Sequence, residues 1–401
     1  HRTTGETLNG QVKDLRTSNK SRFLAALSLV MGLLLAACSK VEPVFETLPL
    51  EVVVHDEPTY EDAGFDARGI YPGRFGAEYG RMLQLDKNRW LAVYTIYNNN
   101  GYTNDENGGT MLQFSESRDN GLTWEIVSTI TEPGRNLDNG QLIRLKNGDI
   151  LVAFRSVRWQ ESYKLDVYRS TDEGRTWTYL STIDENHGAP GELGWPDKGV
   201  YEPHMGFLSD GRLAVFYASE KHVVDEHPYS QIIAEKISDD GGATWGEEIF
   251  AAWDPDNPGA RPGMPVWTQM KDKRYILVHE LCGSDSCNVY YKISEDGFTW
   301  EPGVGTNIPD QVAGPYIASM PDGTLVVTSN AARISVSGDY GKTWRTAREQ
   351  PWPFHLWASV YPVGKNIIAV MNSVRRDVGG HYIGIKYMEL PTEFIGEASD
   401  G

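Results

Sequence analysis

The sequence predicts an all-β protein, a six-bladed β-propeller of four-stranded antiparallel blades, on three observations. An eight-residue phrase, Ser-x-Asp-x-Gly-x-Thr-Trp, occurs at residues 117–124, 170–177, 238–245, 294–300 (one residue short) and 337–344. Its closing tryptophans lie 53, 68, 55 and 44 residues apart, a blade-sized period. Six short apolar strands each follow a polar or glycine turn. The 401 residues also include 41 Gly, 12 Trp and 20 Tyr, as a turn-rich, aromatic-rich β protein would. No segment of ten or more residues carries a helical period.

The first 37 residues are set aside from the fold. Those before Lys20 contain no Met and read as an upstream segment. Lys20 and Arg22 then flank an apolar run, residues 23–37, with the length of a signal-peptide core. That run is short for a membrane span. It ends Leu35-Ala36-Ala37-Cys38, which resembles a bacterial lipobox with Cys38 as the lipidated first residue of the mature protein. The alternative is an ordinary cleaved signal with an incidental cysteine. The lipobox reading predicts a protein of the bacterial cell envelope that meets a membrane only through its anchor. A Pro- and Glu-rich tether, residues 38–50, would lead to a propeller over residues 51–395.

The six apolar strands are residues 89–96, 149–156, 212–219, 275–281, 324–330 and 366–373. Most are preceded by another apolar segment that ends in the turn. Five are followed by a strand entering the repeated phrase and another leaving it. The sixth unit, about residues 354–390, lacks the phrase, and Val52 to Val54 is expected to supply its outer strand and close the ring. Each phrase reads as a tight turn: Ser and Asp bond nearby amides, and Gly supplies a positive φ. If the strands of a blade run A to D from axis to rim, A begins on the face where B ends. The phrase joins C to D and lies on the opposite face. Function is therefore sought where A strands start and B strands end. That places Arg81, Asp138, Asn139, Arg155, Glu202, His204, Glu220, His222, Glu280, Tyr316, Asn330 and Arg375 in one polar ring.

A formal charge of −18 argues against a nucleic-acid partner, which would want a basic footprint. No zinc spacing, phosphate loop or nucleotide fingerprint is present, so no metal or cofactor is expected. Export would favour a local disulfide between Cys282 and Cys287, five residues apart. A monomer is expected.

Glu202 starts the A strand of the third blade, and Glu280 closes the B strand of the fourth. Adjacent blades would bring both to one funnel. Paired carboxylates across a glycosidic bond are what its hydrolysis needs: one protonates the departing oxygen, and the other attacks the anomeric carbon or activates water. The alternative is that each is only the ion-pair partner of a neighbouring arginine.

The repeated phrase resembles the Asp-box, or bacterial neuraminidase repeat, of the sialidase superfamily. Residues 135–140, 148–155, 201–204, 261–264 (Arg261-Pro262-Gly263-Met264), 275–280 and 314–330 further resemble the exo-α-1,5-L-arabinanases, family 93 of the glycoside hydrolases. The resemblance covers roughly residues 70–390. It implies a retaining exo-hydrolase that releases arabinobiose from linear arabinan, with Glu202 as acid/base and Glu280 as nucleophile. A sialidase is the competing reading. It would hold a sialic acid carboxylate in three arginines, with a Tyr nucleophile activated by a Glu. Arg81, Arg333, Arg375, Tyr316 and Glu202 are candidates for those parts, but the third blade's B strand ends Tyr217-Ala218-Ser219-Glu220, where an arginine is expected. A third reading is a propeller that binds glycan and cleaves nothing. Arg81, Asp138, Asn139, Arg155, His204, His222, Arg261, Tyr316 and Asn330 are the substrate-binding candidates, against ordinary loop and salt-bridge roles. Tyr97, Trp159, Trp195, Trp253 and Trp267 are candidate sugar platforms, although a propeller core also needs aromatic residues.

Overall fold

The computed structural model describes residues 51–55, 76–97, 104, 109–347, 350–376 and 380–390. The proposed leader, Cys38 and the tether lie outside them. The described residues form 24 strands in six antiparallel sheets of four, arranged as a six-bladed propeller. Strand β1 (Glu51–His55) comes first in sequence but belongs to the last blade. Blade 1 comprises β2 (Ala77–Gln84), β3 (Trp90–Tyr97), β4 (Thr110–Ser117) and β5 (Glu125–Ile130). Blade 2 comprises β6 (Asn136–Arg144), β7 (Ile150–Arg158), β8 (Ser162–Ser170) and β9 (Thr178–His187). Blade 3 comprises β10 (Val200–Phe207), β11 (Leu213–Ser219), β12 (Ile232–Ser238) and β13 (Ile249–Ala252). Blade 4 comprises β14 (Arg261–Gln269), β15 (Tyr275–Cys282), β16 (Asn288–Ser294) and β17 (Thr306–Val312). Blade 5 comprises β18 (Tyr316–Ser319), β19 (Leu325–Thr328), β20 (Ile334–Ser337) and β21 (Arg345–Thr346). Blade 6 comprises β22 (Ser359–Pro362), β23 (Ile367–Arg375) and β24 (His381–Glu389), with β1 paired to β24 as its outer strand. One 3-10 turn, Lys221–Val224, is the only helical element among the described residues.

The B strands read as unbroken apolar runs because each is buried on both faces, one neighbouring blade on either side. Successive side chains alternate between those neighbours. Ile150, Val152 and Phe154 of β7 pack towards blade 1 with Leu91, Val93 and Phe114. Leu151 and Ala153 of the same strand pack towards blade 3 with Leu213, Val215 and Tyr217. In β11 the alternate residues Ala214 and Phe216 turn to blade 4, against Trp267, Tyr275 and Leu277. The core is thus a set of layers between blades. Polar atoms face the axis and the ends.

The five repeated turns lie on one end and share one bonding scheme. In blade 2, Ser170 Oγ accepts from the Gly174 amide at 2.7 Å, and Asp172 accepts from the Thr176 amide at 2.8 Å and its hydroxyl at 2.6 Å. Blades 1, 3, 4 and 5 repeat it through Asp119, Asp240, Asp296 and Asp339. In blades 2, 3 and 4 the closing tryptophan then reaches back to the preceding blade. Trp177 stacks on Phe114 at 4.5 Å, Trp245 donates to Ser181 Oγ at 3.1 Å and Trp300 donates to Glu235 at 2.8 Å. These turns act as staples between blades.

Candidate active site

At the opposite end, the inner strands of blades 1 to 4 each carry a bulge in which two residues oppose one. The pairs are Tyr79-Gly80, Asn139-Gly140, Glu202-Pro203 and Met264-Pro265, facing Tyr94, Phe154, Tyr217 and His279. The first residue of each has a positive φ: Tyr79 56°, Asn139 55°, Glu202 58° and Met264 50°. The same conformation precedes β18 at Gly314 (54°) and β22 at Trp357 (53°). Six positive-φ residues therefore ring the axis. Such bulges re-aim a side chain, at a cost of order 1–3 kcal/mol where the residue is not glycine. In blades 1 and 2 the residue that follows is a glycine with close neighbours where a Cβ would stand. A Cβ on Gly80 would come within 2.6 Å of Met371 Sδ, and one on Gly140 within 2.9 Å of Val93.

The bulge amides supply the second half of the device. The Met264 amide of blade 4 donates to Glu202 Oε2 of blade 3 at 2.9 Å. The Gly314 amide leading blade 5 donates to Glu280 Oε2 of blade 4 at 2.8 Å. The Trp357 amide leading blade 6 donates to Asn330 Oδ1 at 2.8 Å, and the Tyr79 amide of blade 1 donates to Ser373 Oγ at 3.0 Å. In these four places an amide at the start of one blade holds a polar side chain of the blade before it, and in two of them that side chain is a carboxylate.

Glu202 and Glu280 open into one cavity of about 320 Å3. Arg155 from β7 and Tyr201 from β10 line it beside Glu202, while Glu220, Gln231, Arg261 and Cys282 form the side towards blades 3 and 4. Burial, with nearby Glu280 adding to it and the Met264 amide and Arg155 opposing it, pushes the Glu202 carboxyl up to about 7. Burial also raises Glu280 above the usual carboxylate range, offset by the Gly314 amide. Neither carboxylate pairs with an arginine in the hydrogen bonds and ion pairs of the described residues; the acceptors of Arg155 and Arg261 are elsewhere. Arg155 Nη2 lies 3.3 Å from Asp138 Oδ2, with the guanidinium 5.3 Å from the Tyr201 ring centre. Arg261 Nη2 meets Glu220 Oε1 at 2.5 Å and Gln231 Oε1 at 2.9 Å. Glu220 Oε2 accepts from the Tyr201 hydroxyl at 2.8 Å and the Gly199 amide at 3.0 Å.

Of the sequence-predicted residues, Glu202, Glu280, Arg155 and Arg261 come together in this cavity. Asp138 stands behind Arg155 and also accepts from Thr95 Oγ1 at 2.6 Å. Asn139 belongs to the positive-φ ring and Asn330 is held by the Trp357 amide of that ring, and neither lines the cavity. Arg81 is buried, donating to the carbonyls of Gly80 and Trp357 at 2.8 Å each and stacked 3.9 Å from the Tyr79 ring centre. His204 packs edge-on to Tyr316 at 5.8 Å, and neither of its buried ring nitrogens has a hydrogen-bond partner. Burial and Arg81 lower its pKa to about 3, so the ring is neutral.

The proposed sugar contact of His222 is corrected. It does not line the cavity, and its nitrogens lie 2.5 Å from Glu248 and 2.6 Å from Asp225. Those carboxylates raise it to about 9 and use up both donors. Among the aromatic platforms, Tyr97 and Trp267 are buried core residues. Cys282 and Cys287 are disulfide-bonded, and Cys282 reaches the cavity wall. Sequence reasoning did not assign Tyr201 or Gln231, and it missed the bulges. Their signal was there: five of the six ring residues are followed by Gly or Pro at the start of an inner strand.

Tyr316 bears on the competing chemistry. Its neighbours include Tyr361, Arg81, Tyr79 and His204, no carboxylate among the described residues is hydrogen-bonded to it, and burial raises the phenol well above 10. Arg333 and Arg375 are exposed.

No protein-family model and no curated protein sequence matches the chain. In three dimensions it is similar to the family 93 α-L-arabinofuranosidase of Fusarium graminearum solved with arabinobiose. The TM-score is 0.69 at 22% identity, over 86% of this chain and 99% of that one. The α-L-arabinanase of Penicillium chrysogenum, also solved with arabinobiose, gives 0.68 at 22% identity, over 85% and 98%. The NanB sialidase of Streptococcus pneumoniae gives 0.54 at 12% identity, over 80% and 69%. The fold is that of the sialidase-like propellers, with the family 93 enzymes among its near matches.

Proposed function

We propose that the protein is an exo-acting, retaining glycoside hydrolase for α-1,5-linked L-arabinan or a related oligosaccharide. The observation that carries this reading is the pair Glu202 and Glu280, facing one cavity, each held by a backbone amide of the next blade and neither ion-paired with an arginine among the described residues. Glu202, raised to about 7, is protonated in mildly acidic solution and gives its proton to the departing glycosidic oxygen. Glu280 attacks the anomeric carbon as the C–O bond breaks, forming a glycosyl ester. Water then attacks that carbon, Glu202 accepts its proton, and Glu280 leaves as carboxylate. Arg155 and Arg261 present donors to the sugar hydroxyls, and the Tyr201 ring walls the cavity beside them. The arabinobiose complexes of the two fungal enzymes support the choice of sugar.

The test is hydrolysis of linear arabinan and, in parallel, a sialyl-lactose, with Glu202→Gln and Glu280→Gln alongside. Arabinobiose release, lost in both variants, is the expected outcome. Sialic acid release would overturn the reading, and silence on both would leave a glycan-binding propeller. The lipobox-like Leu35-Ala36-Ala37-Cys38 supports attachment to the cell envelope through Cys38. Incorporation of labelled fatty acid, abolished by Cys38→Ala, is its test.

A further inference from the structure

Two tryptophans on the cavity side of the propeller have no part in the chemistry above. Trp159 sits in the turn between β7 and β8 and is 49% exposed; Trp195 sits in the connection from β9 to β10 and is 91% exposed. Both rings are thus open to solvent, beside the mouth of the cavity rather than in the core. We propose that Trp159 and Trp195 form a stacking platform for sugar units of a neutral polysaccharide that extend beyond the catalytic cavity. This rests on the glycosidase reading of that cavity.

Three observations point to a continuing glycan. The first is preorganisation. The Trp195 loop is pinned to the Trp159 turn by bonds from Gly188 N to Glu161 O at 2.8 Å and from Leu193 N to Gln160 O at 3.0 Å. Lys198 Nζ ties the loop to itself through the carbonyls of Glu192 and Pro196, both at 3.0 Å. Asn104 fastens the other side, accepting from the Trp159 amide at 2.6 Å and donating to its carbonyl at 3.1 Å. Rings held in place lose little freedom when a ligand stacks on them. The second is continuity. Trp159 lies 6.4 Å from Tyr163, which lies 5.7 Å from Tyr201, itself a wall of the cavity. Gly199 permits that approach, since a Cβ there would lie 2.8 Å from Tyr163 and 2.2 Å from the Tyr201 hydroxyl oxygen. The third is size and charge. At about 320 Å3 the cavity is at the small end of ligand pockets, roughly 300–1,000 Å3, so a polymer entering it by one end must leave its remainder on the rim. With a net charge of −18, the protein repels polyanions, and aromatic faces suit the C–H surfaces of uncharged sugars.

The experiment compares Trp195→Ala and Trp159→Ala with wild type, using the full mature protein, on linear arabinan and on arabinotriose. Migration in native gels with and without arabinan is measured in parallel. The expected result is a roughly three- to tenfold rise in KM for the polymer and loss of gel retardation, with trisaccharide kinetics unchanged. Equal effects on both substrates, or none on the polymer, would overturn the platform while leaving the glycosidase standing. If wild type cleaves nothing, the functional reading falls, and the gel alone then decides the platform: retardation lost in the variants supports it, and absent retardation overturns it. Sedimentation of wild type as a dimer that Trp195→Ala converts to monomer would assign the rings to a second copy of the chain instead.

Discussion

The two ends of this propeller use repetition in opposite ways. At one end, five turns repeat both sequence and bonding, so that Asp119, Asp172, Asp240, Asp296 and Asp339 each hold the Thr four residues on, or three in blade 4. At the other, six positive-φ residues repeat a backbone shape while their side chains differ: Tyr79, Asn139, Glu202, Met264, Gly314 and Trp357. A motif that stays constant around the ring is bracing the ring. A constant backbone with varied side chains offers six equivalent mounts, and chemistry can occupy one without disturbing the others. Glu202 occupies one such mount, and Glu280 hangs from the amide of another.

The sharpest way to break this comparison is to exchange the effects of its two ends. Glu280→Gln should lower kcat by about 10³-fold or more, and Glu202→Gln by roughly 10²–10⁴-fold, with thermal stability intact in both. Stability should in fact rise in the second. Burial raises Glu202 above its unfolded value, so the unfolded chain ionises first, and the penalty develops as pH climbs from the usual carboxylate range through about 7. Melting curves should show Glu202→Gln more stable than wild type at pH 8, by on the order of 1–3 kcal/mol, and unchanged at pH 4. A destabilised Glu202→Gln at pH 8 would mean that the carboxylate braces the blade.

The braced end should show the reverse. Asp172→Ala removes the acceptor for the Thr176 amide and hydroxyl and for the Arg175 amide. It should cost about 1–3 kcal/mol of stability with kcat unchanged. These bonds hold Asp172 down at about 2, and its four counterparts are also lowered. Their contribution is therefore complete above the ordinary carboxylate pKa and is lost as pH falls through the lowered values. Wild type should lose stability on acidification over that window, and Asp172→Ala should lose less. A kcat change in Asp172→Ala would couple the two ends and defeat the division of labour.

The same contrast explains what could be read in advance. The staples were legible because Ser, Asp, Gly, Thr and Trp each do one job at a fixed offset, and because the B strands, buried on both faces, are continuous apolar runs. Glu280 was legible as a charge closing such a strand, and Glu202 as a charge at the start of an inner strand on the same end. The bulges were not, because a positive φ at Glu202 or Met264 leaves only a following Gly or Pro as its trace. His222 was misplaced for the same kind of reason. Its partners Asp225 and Glu248 are 3 and 26 residues away, and nothing in the order of residues shows that both reach one ring.

Arg155 gives a finer test within the functional end. Its β-strand position in blade 2 matches that of Glu280 in blade 4, next to the following blade's bulge, which here carries Glu202. Its charge holds the Glu202 pKa below what burial alone would set. In Arg155→Met the alkaline limb of kcat/KM should therefore move to higher pH, with a modest loss of rate at the optimum. A rate loss with no movement of that limb would make Arg155 a sugar contact alone.

The smallest effect expected is also the one that separates the two chemistries available to this fold. A tyrosine nucleophile needs a carboxylate to take its proton, and among the described residues none is hydrogen-bonded to Tyr316, whose hydroxyl meets Tyr361. Its ring instead fills the space between His204 and Tyr361, at 5.8 and 5.6 Å. Tyr316→Phe keeps that filling and removes only the hydroxyl. It should leave kcat on arabinan within about threefold of wild type, since loss of one neutral hydrogen bond is worth roughly 0.5–1.5 kcal/mol at most. A hundredfold loss would return the nucleophile to Tyr316 and leave Glu202 to activate it, as a sialidase would.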